Sequence, residues 1–256
     1  MRAAVSAGAD LVEFDVQRTS DGHLIVVHDT TFARTTNVAH TFPGRAADSV
    51  GSFTLAQVRQ LDAGRWFAAR FAGTSVPTLS SLLRTMAATR TGLLLELKNP
   101  ALHRGYETQV AHAPASSGYV SRHRVWVRSF DPASLERFHD IAPTVPVGLN
   151  TETGGAPKAD QPWITSVNTT TGQLTDAAVD AATRGRLVVL AWRPRPTRTP
   201  RQKRRDSSTK ASQGSSPTTP QWFAKSSTST AAGQRRLPPL ASNSCCTPGH
   251  PAAGRR

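Results

Sequence analysis

Short runs rich in β-branched and aliphatic residues recur along this chain with helix-patterned stretches between them, and the recurrence stops abruptly at Trp192. A regular exchange of strand for helix points to a parallel sheet covered by crossover helices, either an open α/β sheet or a barrel. The strand-like runs are residues 11–16, 24–29, 92–97, 124–130, 145–149 and 186–192, with a weaker one at 163–167. They amount to about six strand units, where a complete (β/α)8 barrel has eight. Helical patterning falls at 54–61, where Thr54 is placed to cap it, then from Pro77 onward, and at 132–141 and 175–184. No internal repeat is visible.

From Arg193 to Arg256 the text is Pro, Arg, Ser, Thr and Gln with no period of either kind. Such a composition buries too little apolar surface to offset its ordering entropy, so 193–256 is expected to be a disordered basic tail. Charge divides at the same point. Residues 1–192 hold 18 Lys/Arg against 16 Asp/Glu, and residues 193–256 hold 13 against 1, so most of the net charge of +14 belongs to the tail. The folded part is therefore not expected to bind nucleic acid. The tail itself could hold nucleic acid or anionic lipid headgroups without specificity. With only Trp222 and Phe223 for stacking, it makes a poor single-strand platform. The two cysteines, Cys245 and Cys246, are adjacent and match no metal-ligand spacing. No apolar run reaches the length of a membrane span. The first ten residues lack the apolar core of a signal peptide, so a cytoplasmic location is the default expectation, and a secreted one if an N-terminal part is missing. Nothing in the sequence indicates an oligomeric state.

Glu13 and Asp15 stand two apart in a strand-like run, which puts both carboxylates on one face. Two anions on one face either look into solvent or share a cation. A hard divalent ion, Ca²⁺ or Mg²⁺, is the natural partner for oxygen ligands. Glu96 interrupts the leucines of 93–97, a run typical of a buried parallel strand, where a carboxylate needs a partner. Lys98 faces the same way. Glu96 is therefore either one half of a buried pair with Lys98 or a third metal ligand, with Lys98 offsetting a bound phosphate. His28 ends the 24–27 run at the start of a loop, where it either caps a turn or exchanges protons with a substrate. The other seven histidines are expected on the surface. Trp192 ends the last run and either fills core or faces a substrate pocket. The polar loop 34–37 is either solvated or borders the site.

In order along the chain stand GADLVEFDV (8–16), TSDG (19–22), VVHD (26–29), RTT (34–36), LDAGRWF (61–67), VPTL (76–79), LELK (95–98) and SFD (129–131). This series resembles the glycerophosphodiester phosphodiesterase family from about residue 5 to Trp192. The resemblance implies a (β/α)8 barrel, here incomplete and lacking its first and last strands, over residues 1–192. Residues 31–77 would be the family insertion over the barrel mouth. It also implies a divalent metal on Glu13, Asp15 and Glu96, His28 as one of two catalytic histidines, and Lys98 near the substrate phosphate. The implied reaction is hydrolysis of a small-molecule glycerophosphodiester to glycerol 3-phosphate and an alcohol. A phospholipase D-type enzyme on the same scaffold would share Glu13, Asp15 and His28; the insertion and LELK favour the phosphodiesterase.

Two departures bear on activity. The family's His-Arg-Gly motif, which carries the second histidine and a phosphate-binding arginine, precedes the Glu-x-Asp pair and is not in this sequence. After Trp192 the Arg/Pro text replaces the expected closing strand. A start placed downstream of the true one and a tail read in a shifted frame are the two expectations that account for this. The alternative is a catalytically dead fragment with a basic, lipid- or nucleic-acid-binding tail.

Overall fold

The structure is a computed structural model that describes residues 1–117, 119, 125–152 and 161–193. The tail expectation and Arg124 lie outside the described residues. Seven strands form one sheet: β1 (Leu11–Arg18), β2 (Leu24–Val26), β3 (Gly92–Leu97), β4 (Val125–Ser129), β5 (Val147–Asn150), β6 (Ile164–Thr170) and β7 (Val188–Trp192). Their order is β2-β1-β3-β4-β5-β6-β7. Every neighbouring pair is parallel except β1 with β2, which is antiparallel. The helices are α1 (Arg2–Ser6), α2 (Val38–Thr41), α3 (Leu55–Val58), α4 (Leu79–Met86), α5 (Glu107–Ser116), α6 (Pro132–Ile141) and α7 (Asp176–Arg184).

Local chemistry explains these elements. Thr54 and Gln57 form a reciprocal capping box that starts α3. The side chains of Thr78, Asp131 and Thr175 accept from backbone N–H groups at the starts of α4, α6 and α7. All six residues of β3 are buried, as a central parallel strand covered on both faces requires. The main core joins Val16, Leu93, Leu95 and Leu97 with Leu79, Leu83, Val127, Leu135 and Phe138. Segment 31–77 builds a second cluster around Ile25, Phe32, Val38, Val50, Phe53, Val58 and Leu61.

Two expectations are corrected, those for residues 24–29 and for His103. Residues 24–29 form only a three-residue strand, and it runs antiparallel as the return of a β1 hairpin through Thr19 and His23. The sheet thus has six parallel strands plus β2. The weaker run at 163–167 is a strand as expected, β6, but extends to seven residues; polar Ser166, Asn168 and Thr169, all buried, weaken its pattern. Helix α5, which has no clear apolar period and contains Pro114, is not among the expected elements. His103 is not a surface residue but 2% exposed, packed against Tyr106 with Nε2 3.3 Å from Gln17 Oε1.

Candidate active site

Strand register assembles the site. Asp15, Glu96, Arg128, Gly148 and Ser166 are successive partners across β1, β3, β4, β5 and β6, so they form one row on one face. Glu13 lies one row below Asp15 on that face, and Asn150 and Asn168 lie one row above Gly148 and Ser166. Carboxylate oxygens of Glu13, Asp15 and Glu96 all come within 4.8 Å of one another.

Two cations neutralise this cluster in part. Lys98 Nζ lies 2.8 Å from Glu96 Oε1 and 3.5 Å from Asp15 Oδ1. Arg128 Nη2 lies 3.0 Å from Glu13 Oε1 and 3.3 Å from Glu96 Oε2. Asn150 donates to Glu96 Oε2 at 3.0 Å, and Asn168 donates to Asn150 Oδ1 at 2.9 Å. Gly148 makes room for this amide chain: a Cβ there would stand 2.2 Å from Ser166 Oγ and 2.7 Å from Asn168 Nδ2.

The electrostatics remain unbalanced. Burial, with Asp15 adding to it, pushes the Glu13 carboxyl up to about 7 against the opposing pull of Arg128. Burial and then Glu96 push Asp15 upward as well. Burial pulls Lys98 down, but Glu96 and Asp15 outweigh it and hold the ammonium above its ordinary value. Glu13 Oε1 and Arg128 Nε are buried without a hydrogen bond; the 3.0 Å approach of Nη2 to Glu13 lacks hydrogen-bond alignment. A converging carboxylate set with a buried oxygen lacking a hydrogen bond fits a hard divalent cation.

His28 stands beside this cluster on the loop after β2. Its imidazole is exposed, and its Nδ1 is 2.9 Å from Asp29 Oδ1. Asp29 is gripped in turn by Arg34, through Nε at 2.6 Å and Nη2 at 2.7 Å. The Arg34 hydrogen bonds, more than burial opposes, keep the Asp29 carboxyl below its usual range. Gln17 ties the loop down by donating to the carbonyls of Val27 and Asp29. Trp192 lies edge-on to Phe130 at 6.0 Å, with the Arg128 guanidinium 5.9 Å from the indole centroid. A cavity of about 460 Å³ opens along Glu96, Lys98, Asn99, Ser129, Phe130 and Asp131.

The structure therefore brings Glu13, Asp15, Glu96 and Lys98 together, with His28 and Trp192 at the margin. Sequence reading missed Arg128, Asn150 and Asn168. The two-residue period that paired Glu13 with Asp15 also holds along β4, but only register with Glu96 shows that Arg128 faces the same carboxylate cluster.

Fold and site together define an α/β protein that gathers charged groups on one face of its parallel strands, most of them toward the strands' carboxyl ends, as barrel enzymes do. A sequence model of the glycerophosphoryl diester phosphodiesterase family matches residues 1–203. The chain belongs to that family. It is 30% identical over 195 residues to YhdW of Bacillus subtilis strain 168, covering 74% of this chain and 76% of that protein. It is 34% identical over 163 residues to a glycerophosphodiester phosphodiesterase of Caldanaerobacter subterraneus subsp. tengcongensis, covering 63% of this chain and 61% of the relative. Of a glycerophosphodiester phosphodiesterase of Bacillus subtilis strain 168 it spans 48%. Among solved structures, a glycerophosphodiester phosphodiesterase from Agrobacterium tumefaciens matches with a TM-score of 0.59 at 25% identity, covering 81% of this chain and 83% of that one. An Oleispira antarctica phosphodiesterase, solved with the product sn-glycerol-3-phosphate, matches in fold with a TM-score of 0.63 at 23% identity, covering 76% of each chain.

Proposed function

We propose that this chain carries a metal-dependent phosphodiesterase site for glycerophosphodiesters, hydrolysing them to glycerol 3-phosphate and an alcohol. The observation that carries the reading is the convergence of three carboxylates from two adjacent strands beside Lys98, Arg128 and His28. Family membership and the fold shared with a phosphodiesterase that binds glycerol 3-phosphate support the substrate class.

Glu13, Asp15 and Glu96 would hold the ion, Ca²⁺ or Mg²⁺, by carboxylate oxygen alone. Bound there, a divalent cation supplies Lewis acidity toward a phosphoryl oxygen and lowers the pKa of a hydroxyl in contact with it. Lys98 and Arg128 leave the three ionised carboxylates one negative charge in excess, so a divalent charge turns the site net positive and suited to a phosphodiester. His28 points Nδ1 at Asp29, which orients the ring and leaves Nε2 to exchange a proton with the substrate. Arg34 holds Asp29 for that task. Phe130 and Trp192 shape the apolar side of the site mouth. The sheet reads as a barrel opened along one side, with β2 and β7 at its ends.

Release of glycerol 3-phosphate from glycerophosphocholine, followed with Mg²⁺ or Ca²⁺ and with chelator, tests the reading. Cation-dependent release lost in His28→Ala supports it. Release unaffected by chelator, or no release from any glycerophosphodiester at saturating cation, overturns it.

A further inference from the structure

Residues 62–74 form a closed loop held from inside. The Asp62 carboxylate accepts from the N–H groups of Gly64, Arg65 and Gly73, and Ala63 N–H donates to Thr74 O at 2.7 Å. These backbone N–H bonds hold the Asp62 carboxyl down at about 2. Gly64 lets the two ends meet, because a Cβ there would stand 1.9 Å from Phe71 O. Such internal bonding makes an Ω-loop whose shape does not depend on what it displays.

It displays aromatic rings. Trp66, Phe67 and Phe71 are 43%, 44% and 40% exposed, and they touch in series at 5.9 and 5.7 Å between centroids. Together they offer on the order of 250 Å² of contiguous apolar surface on a single loop. Arginines fringe the rings. Arg34 lies 5.6 Å from the Trp66 centroid and Arg70 4.8 Å from that of Phe71. The outward face is positive although two of the arginines are paired. Arg65 and Arg34 have side chains 72% and 55% exposed, while their partners Asp62 and Asp29 are only 14% and 20% exposed. Residues 31–77 carry five arginines against two aspartates, whereas the rest of 1–192 has 13 basic and 14 acidic residues.

We propose that this loop is a docking surface for an anionic lipid bilayer, with Trp66, Phe67 and Phe71 entering the headgroup zone and Arg34, Arg65 and Arg70 meeting lipid phosphates. Rigid aromatic rings with a cationic fringe match a bilayer interface, apolar within and negative at its rim. No helix among the described residues is long and apolar enough to cross a membrane; the proposed contact is with the headgroup zone alone. Arg34 links the loop to the catalytic face through Asp29 and His28, so docking brings that face to a lipid surface. The inference is independent of hydrolytic activity, since its test reads binding alone.

The test is co-sedimentation of the full chain with phosphatidylglycerol vesicles and with phosphatidylcholine vesicles, in low salt and in 0.5 M NaCl. High salt screens the basic 193–256 segment, leaving the apolar part of binding. The expected result is retention on phosphatidylglycerol that persists in high salt and falls roughly tenfold or more in Trp66→Ser/Phe67→Ser/Phe71→Ser. Circular dichroism checks that this variant folds. Arg70→Glu keeps every ring and is expected to lower retention on phosphatidylglycerol but not on phosphatidylcholine. Retention equal in wild type and the triple-serine variant overturns the proposal. So does concentration-dependent self-association, lost in the same variant, with no vesicle binding, which would assign the loop to a second copy of the chain.

Discussion

Arg128 is the residue whose role most depends on register. Its guanidinium rests on Glu13 and Glu96, two of the three groups that would hold a cation. It therefore competes electrostatically with any divalent ion entering the cluster. Arg128→Met is expected to tighten cation binding about tenfold while weakening binding of glycerol 3-phosphate to the loaded protein. Calorimetric titration with each ligand reads the two opposite signs, and equal changes would make Arg128 a structural prop. His103 gives a pH effect. Burial, with Arg18 adding to it, lowers its pKa to about 4, against an ordinary value near 6.5. The unfolded chain thus binds this proton first, so the contribution is complete above about pH 6.5 and is lost as pH falls toward 4. Chemical denaturation across that range should show a fall on the order of 2 kcal/mol, which His103→Gln flattens.

Among elements, β5 and β6 are joined by polar side chains, whereas β3 presents leucines. The chain Asn168–Asn150–Glu96 runs through the space left by Gly148. Gly148→Ala is expected to cost about 1–3 kcal/mol and to loosen cation binding, because the added methyl would separate Asn168 from Asn150. Unchanged melting and cation affinity would show that the amide chain is not a support. β6 also shows where sequence reading loses its grip. Alternation predicts strands well when one face is apolar, as in β1, or when both are, as in β3. A strand whose buried residues are mostly polar, with Ser166, Asn168 and Thr169 beside only Ile164 and Val167, carries a weak hydrophobic signal, and its identity is set by partners on other strands.

At the scale of the molecule, the core follows the leucines of β3, and Leu95→Ala should lower stability by about 2–5 kcal/mol in denaturant titration. The two margins of the sheet are less protected. Leu11–Phe14 of β1 has ladder partners only in β3, and β7 only in β6, among the described residues. The order of strands and helices was legible from periodicity because parallel sheets impose it. Glu13, Asp15 and Glu96 were legible because carboxylates in apolar strands are conspicuous. Arg128, Asn150 and His103 were not, since arginine, asparagine and histidine occur on any surface and only tertiary pairing makes them unusual. The central claim is that one carboxylate cluster holds one hard cation. Isothermal titration of the chain with Mg²⁺ and Ca²⁺, beside Asp15→Asn/Glu96→Gln, tests it most directly. A single site in the wild type that disappears in the double variant is the predicted result; no site, or one indifferent to both substitutions, contradicts it.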